Sequence, residues 1–173
     1  SDMSAWYSSD QIEGNLLVGD KVTFWNDRSG NRRHFSGYSG NPVLENSVMI
    51  NLPVVAFGGD DLLWTANHFD LLTESGYSIV SLARYTGKKN GRVISSRNRN
   101  FSFGFHSNSV CKWQAEGWIY QSNQKDSDWH IHVGRIDAKG GDPSASFWID
   151  GERLTTASKG SSNSIFSPGQ LQL

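Results

Sequence analysis

Phe101-Ser102-Phe103-Gly104-Phe105-His106 places a phenylalanine at every second position. Successive side chains of an extended chain point to opposite faces, so the three rings share one face and Ser102, Gly104 and His106 the other. The pattern predicts a β-strand with its ring face on a core. Residues 92–95 read as the strand before it, joined by a turn rich in Arg and Asn. Gly87-Lys88-Lys89-Asn90-Gly91 reads as a hairpin loop. Residues 77–85 alternate Tyr77, Ile79, Ser81 and Ala83 against Ser78, Val80, Leu82 and Arg84. Apolar residues on both faces predict that each face is covered.

The same period runs through the chain. Residues 129–136 set Trp129, Ile131 and Val133 against His130, His132 and Gly134. Short strands are predicted over 21–25, 54–57, 117–121 and 145–150, the last closed by Asp150-Gly151 and paired back through 153–156 as a hairpin. Residues 27–31, 122–128 and 138–143 read as turns or loops. One helical turn is predicted, over 69–74. About ten short strands with frequent turn signals indicate an all-β, two-sheet antiparallel sandwich or barrel.

Composition agrees. The 173 residues suit one domain, with no internal repeat or linker. Ser1-Asp2-Met3 reads as an expression scar and 4–173 as the domain. Apolar residues make up 36%, enough for a sandwich core, and charged residues 19%, too few for a disordered chain. Seven Trp and nine Phe let a modest apolar count bury much area. A net charge of −1 gives no general attraction to nucleic acid or an anionic membrane. Lys88, Lys89, Arg92, Arg97 and Arg99 form a local basic cluster near aromatics, a pattern that suits single-stranded nucleic acid, but the overall balance opposes it. No apolar run is long enough to span a bilayer. Cys111 is the only cysteine, which excludes an intrachain disulfide; a half-buried spectator is expected.

Five segments in order resemble the laminin-G-like branch of the concanavalin-A-like lectin/glucanase superfamily. GDKVTFWNDRSGNRRHF (19–35) resembles its W-x-D-x-SGN opening, and VVAFGGDDLL (54–63) its F-x-G-x-D-x-L element. GYSIVSLARYTGKKNGRVISS (76–96) is similar to its paired-strand segment. DWHIHVGRID (128–137) resembles its W-hydrophobic-H-V strand, and SFWIDGERL (146–154) the hairpin that follows. The resemblance implies a jelly-roll sandwich in a secreted or cell-surface protein. It also implies a further strand after Gly169-Gln170-Leu171-Gln172-Leu173, and so an edge open to a partner chain.

The fold hosts lectins, adhesive modules and polysaccharide-active enzymes, so function must come from the site. The paired acids of a glycosidase strand are missing: Glu13, Glu45, Glu74, Glu116 and Glu152 stand singly. A lyase-like constellation would draw on His130, His132, Tyr120 and Arg135. His130 and His132 have a metal-ligand spacing, with His106 or Asp128 as third ligand; a polar, solvated strand face explains the spacing equally well. Asp60, Asp61, Asp126 and Asp128, with Asp27, are candidate oxygen donors for calcium, against the simpler reading as turn formers. Trp113, Trp118, Arg97, Arg99, His106 and Asn108 are the candidate glycan site, aromatic platforms beside hydrogen-bonding groups, with Asn98 in the same loop and Trp64 a second site. Trp6, Trp25, Trp129 and Trp148 are expected in the core; Trp113 and Trp118 fit either role. The expected function is a non-catalytic module recognising a glycan. The alternatives are an adhesive contact with an extracellular protein and a polysaccharide-active enzyme.

Overall fold

The computed structural model describes residues 3–46, 52–66, 69, 76–87, 91–107, 109–115, 117–137, 144–154 and 168–173. The described chain is all-β, with antiparallel strand pairs and one 3-10 turn at Ser9–Gln11. Its contacts group into two compact units, Ser1–His68 with Gln172–Leu173, and Phe69–Leu171.

In the first unit, β1 (Phe35–Ser39) pairs with β4 (Leu62–Thr65), and β2 (Val43–Asn46) with β3 (Pro53–Ala56). Leu63 and Leu173 exchange both backbone hydrogen bonds, at 2.9 and 3.1 Å, and Gln172 pairs with Trp64. Val22, Phe35, Leu44 and Leu63 are buried. The strand predicted over 21–25 is instead two isolated bridges, Lys21 to Val43 and Trp25 to Phe35. The segment changes partner from β2 to β1 within four residues, so no continuous ladder forms. Trp6, expected in the core, is 50% exposed.

The second unit holds β5 (Tyr77–Ala83), β6 (Arg92–Ser96), β7 (Phe101–His106), β8 (Ser109–Ala115), β9 (Trp118–Gln121), β10 (His130–Asp137), β11 (Ser144–Ile149) and β12 (Glu152–Leu154). Strands β6, β7, β8 and β9 neighbour one another in that order, and β12-β11-β10-β5 form a four-stranded sheet. The two sets pack face to face in a sandwich-like arrangement. Phe103 of β7 meets Phe147 of β11 at 5.5 Å and Trp113 of β8 at 5.5 Å, edge to face in both cases. Phe101, Phe103 and Phe105 are all buried, as the alternation predicts. Burying such a ring contributes about 1.5–3 kcal/mol. The β11–β12 hairpin turns on Asp150-Gly151, both at positive φ (50° and 86°), the two-residue geometry that matches strand twist.

Three expectations are corrected here. Strand β8 lies where the sequence reading places no strand. In β10 the histidine face is the inner one: His130, His132, Gly134 and Ile136 are buried, whereas Ile131 is 47% exposed. Gly134 explains the choice, because a Cβ there would lie 2.5 Å from the Phe103 ring and 3.0 Å from Trp113. Only the face carrying glycine admits both rings. The predicted cover over both faces of β5 is likewise not seen: Val80 is 65% and Leu82 48% exposed. Residues 70–74 of the predicted helical turn, the loop at 88–90 and the turn at 138–143 lie outside the described residues.

Candidate functional site

Strand β8 alternates buried Cys111, Trp113 and Ala115 with half-buried Lys112 and Gln114. Lys112 and Gln114 therefore stand on the face turned away from the core. Gln114 pairs with Trp118 across the β8–β9 ladder, and His106 pairs with Arg92 across β6–β7. Side chains from the three adjacent strands β7, β8 and β9 then meet. The His106 and Trp118 rings lie 5.2 Å apart at 87°, and the Lys112 ammonium sits 5.5 Å over the Trp118 indole. Ser107 hydrogen-bonds His106 Nδ1 at 2.9 Å. Burial pushes the His106 pKa down, and the neighbouring charges of Arg92 and Lys112 push it the same way. Arg92 is exposed, and His106, Lys112 and Trp118 are half-buried.

A second cluster surrounds His130. Its Nδ1 lies 2.6 Å from Asp150 Oδ2 and its Nε2 2.7 Å from Asp126 Oδ1. A carboxylate only accepts, so both ring nitrogens donate and His130 is an imidazolium. Burial opposes that charge, but the hydrogen bonds that His130 donates to Asp150 and Asp126 outweigh it and raise the His130 pKa. For both carboxylates burial acts upward, and the bond to His130 and backbone N–H donors carry the pKa below its ordinary value. With both nitrogens donating, His130 has no lone pair for a metal. His132 is fully buried and donates from Nε2 to the Val110 carbonyl at 2.6 Å. Its Nδ1 is buried without a partner, and burial lowers its pKa. The pair is neither the solvated face nor the metal pair of the sequence reading. Among the described residues, no group of three or more His, Cys, Asp or Glu is placed to hold a metal ion.

The chain matches no family model, no curated protein and no solved structure. What the site can do therefore rests on its own geometry.

Of the residues singled out from sequence, the fold brings together His106 and Trp118. Trp113 is 0% exposed and is a core ring. Arg97 and Arg99 lie on the exposed β6–β7 turn, at the opposite end of β7 from His106, about 17 Å along a six-residue strand. Asn98 in that turn accepts from the Gln170 N–H at 2.9 Å. Asn108 lies outside the described residues. Trp64 belongs to the first unit, its indole over the backbone of its cross-strand partner Gly37. Asp61 accepts from the backbone N–H of Asn41 and of Gly58, each at 2.6 Å, while Asp60 is exposed. Asp126 accepts from the Asp128 N–H at 3.1 Å, an Asx-type turn. The lyase-like set does not converge: His130 is held by two carboxylates, His132 is buried, and the Arg135 guanidinium pairs with Asp137 at 2.9 Å on an exposed position. Sequence reasoning missed Lys112 as a site residue, and Asp150 as the partner of His130. The period-two pattern of 109–115 was the signal that would have placed Lys112 opposite Trp113.

Proposed function

We propose that this chain is a non-catalytic, extracellular binding module with a jelly-roll fold of the concanavalin-A-like, laminin-G-like kind, and that it recognises a glycan at Trp118. One observation carries the reading: a half-exposed indole on the outward face of the β6-β7-β8-β9 strands, with the hydrogen-bonding groups of His106 and Lys112 around it. Flat aromatic faces stack on the apolar faces of pyranoses, and the flanking donors fix the hydroxyls. The non-catalytic part draws support from His130 and Arg135, which are engaged in ion pairs on opposite faces of β10.

The test is a broad glycan array, with and without added calcium, comparing the native chain with Trp118→Ala. Selective binding that the variant loses supports the reading, and dependence on calcium would add a bound ion to it. An array blank under both conditions overturns it. A protein-contact module is the second reading, favoured by the exposed apolar side chains of Val80, Leu82 and Ile131 on adjacent strands β5 and β10. A blank array would leave that face as the working surface.

A further inference from the structure

We propose that strand β5 pairs with the β5 strand of a second copy of this chain, antiparallel and centred on Val80, so that two four-stranded sheets run on as one. Trp118 takes no part in this contact, which therefore stands or falls apart from the glycan reading.

Strand β5 stands last in the order β12-β11-β10-β5 and pairs on one side, with β10. The β10 ladder shows which backbone groups of β5 face outward. The Ile131 carbonyl accepts from the Asp150 N–H at 2.9 Å, and the Ile131 N–H donates to the Asp150 carboxylate at 2.8 Å, so both groups point to the β11 side. In an antiparallel strand the N–H and C=O of one residue point to one side and those of the next to the other. His130, His132, Gly134 and Ile136 therefore bond β5, through their partners Ala83, Ser81, Ile79 and Tyr77. That leaves the N–H and C=O of Ser78, Val80 and Leu82 on the open edge. Among the described residues, none of these groups has a hydrogen-bond partner. Proteins ordinarily blunt such an edge with charge, proline or brevity. The other edge of this sheet does so: β12 has three residues, two of them Glu152 and Arg153. The seven residues of β5, YSIVSLA, hold no charge and no proline, and Ser78, Val80 and Leu82 are all exposed.

A second copy fits this edge by symmetry. With Val80 opposite Val80 across a two-fold axis, Ser78 of each copy faces Leu82 of the other, and every outward N–H and C=O of the three residues is paired. Arg84 then lies opposite Gly76, so no like charges meet. The outward side chains agree with this register. Val133 is the cross-strand partner of Val80. The two-fold therefore sets Val133 and Val80 of one copy in a row with Val80 and Val133 of the other. β-Branched neighbours of this kind stabilise a sheet. A register two residues away leaves part of the edge unpaired, and one residue away sets outward groups against inward ones.

The experiment is sedimentation velocity of the native chain from about 1 µM to about 1 mM, because a contact of one strand pair lies at the small end of protein interfaces. A reversible monomer–dimer equilibrium is expected. Val80→Lys sets two ammonium groups against each other at the two-fold and should weaken dimerisation at least about tenfold at low salt. Ser78→Glu with Leu82→Lys in one chain puts a carboxylate beside an ammonium at both ends of the contact and should keep the dimer at least as tight. Val80→Cys should form an interchain disulfide under mild oxidation, since directly opposed Cα atoms about 5.5 Å apart suit one. Ser78→Cys should not, its two copies standing about 13 Å apart along the edge. Cys111 is buried, so the native chain is the control without a cross-link. Thermal melts establish that each variant is folded, and Val80→Cys keeps the test open if Val80→Lys does not fold. A monomer at every concentration overturns the second copy as the occupant of this edge. A dimer equally tight in Val80→Lys overturns β5 as the contact. A cross-link through Ser78→Cys in place of Val80→Cys overturns the register centred on Val80. The glycan array reads the Trp118 site separately, so neither result decides the other.

Discussion

Asp27 is buried, and its carboxylate accepts four hydrogen bonds: from the backbone N–H of Trp6 and of Ser29 at 2.9 Å each, from the Arg33 N–H at 3.0 Å, and from the Ser29 hydroxyl at 2.9 Å. Burial alone would raise its pKa; the bonds from Trp6, Ser29 and Arg33 reverse that and hold it below the ordinary carboxylate value. This side chain thus helps tie the N-terminal segment to the 27–33 turn, beside the bonds from Asn31 to the Met3 carbonyl and from Arg33 to the Ser4 carbonyl. Asp27→Ala strands three backbone donors and should lower unfolding free energy by roughly 2–4 kcal/mol, read by chemical denaturation. The sequence offered Asp27 as a calcium donor as well as a turn former, and the same experiment separates them. Equal loss in calcium and in chelator makes it a turn organiser; stabilisation by calcium in the native chain alone would make it a ligand. A residue's type and a nearby glycine were legible in sequence, but the donors at Trp6 and Arg33 that saturate it depend on a return of the chain that no local pattern encodes.

At the scale of the element, β10 shows how periodicity can be right in period and wrong in phase. Its alternation was legible, but hydrophobicity assigned Ile131 and Val133 to the core and the histidines to solvent. Two tertiary facts reverse this. His130 and His132 find internal partners, which removes most of the cost of burying them. The space over Gly134 is taken by Phe103 and Trp113. Gly134→Ala drives a methyl into both rings and should cost roughly 1–3 kcal/mol, seen as a lower thermal midpoint without loss of strand content by circular dichroism. An unchanged midpoint would mean that the facing strands yield freely, contrary to close packing at this point. Strands with aromatic alternation or a strong turn, such as β7 and the β11–β12 hairpin, were legible. Strand β8 was not, because Lys112 and Gln114 between buried residues look like loop polarity until the facing sheet supplies a core for Trp113 and Cys111. The candidate site suffered with it: Trp118 and His106 were found, but the strand that carries Lys112 between them was unassigned.

For the molecule as a whole, the two neighbouring histidines should shape stability against pH in opposite directions. Both start from an ordinary value of 6.5 in the unfolded chain. The folded pKa of His130 is raised, so its contribution is complete below 6.5 and is lost as pH rises through the folded value. The folded pKa of His132 is lowered, so the unfolded chain binds more protons just below 6.5 and stability falls as pH drops from there. The windows meet near 6.5 without overlapping, which places a maximum there. Each limb slopes by at most about 1.4 kcal/mol per pH unit for one proton. Further out, Asp126 and Asp150, with folded pKa values below their ordinary 3.8, add a loss in strong acid, and half-buried Tyr77, its pKa raised by desolvation, adds one in strong alkali. Thermal midpoints between pH 4.5 and 8.5 should therefore trace a dome. His130→Gln should flatten the limb above 6.5, and His132→Gln, which keeps a donor for the Val110 carbonyl, the limb below it. The shape of each curve is diagnostic even where a variant is less stable throughout. A native profile that rises steadily across the whole range would mean that the two carboxylates do not hold His130 charged, and the clamp between the 122–128 loop and the Asp150 turn would have to be given up.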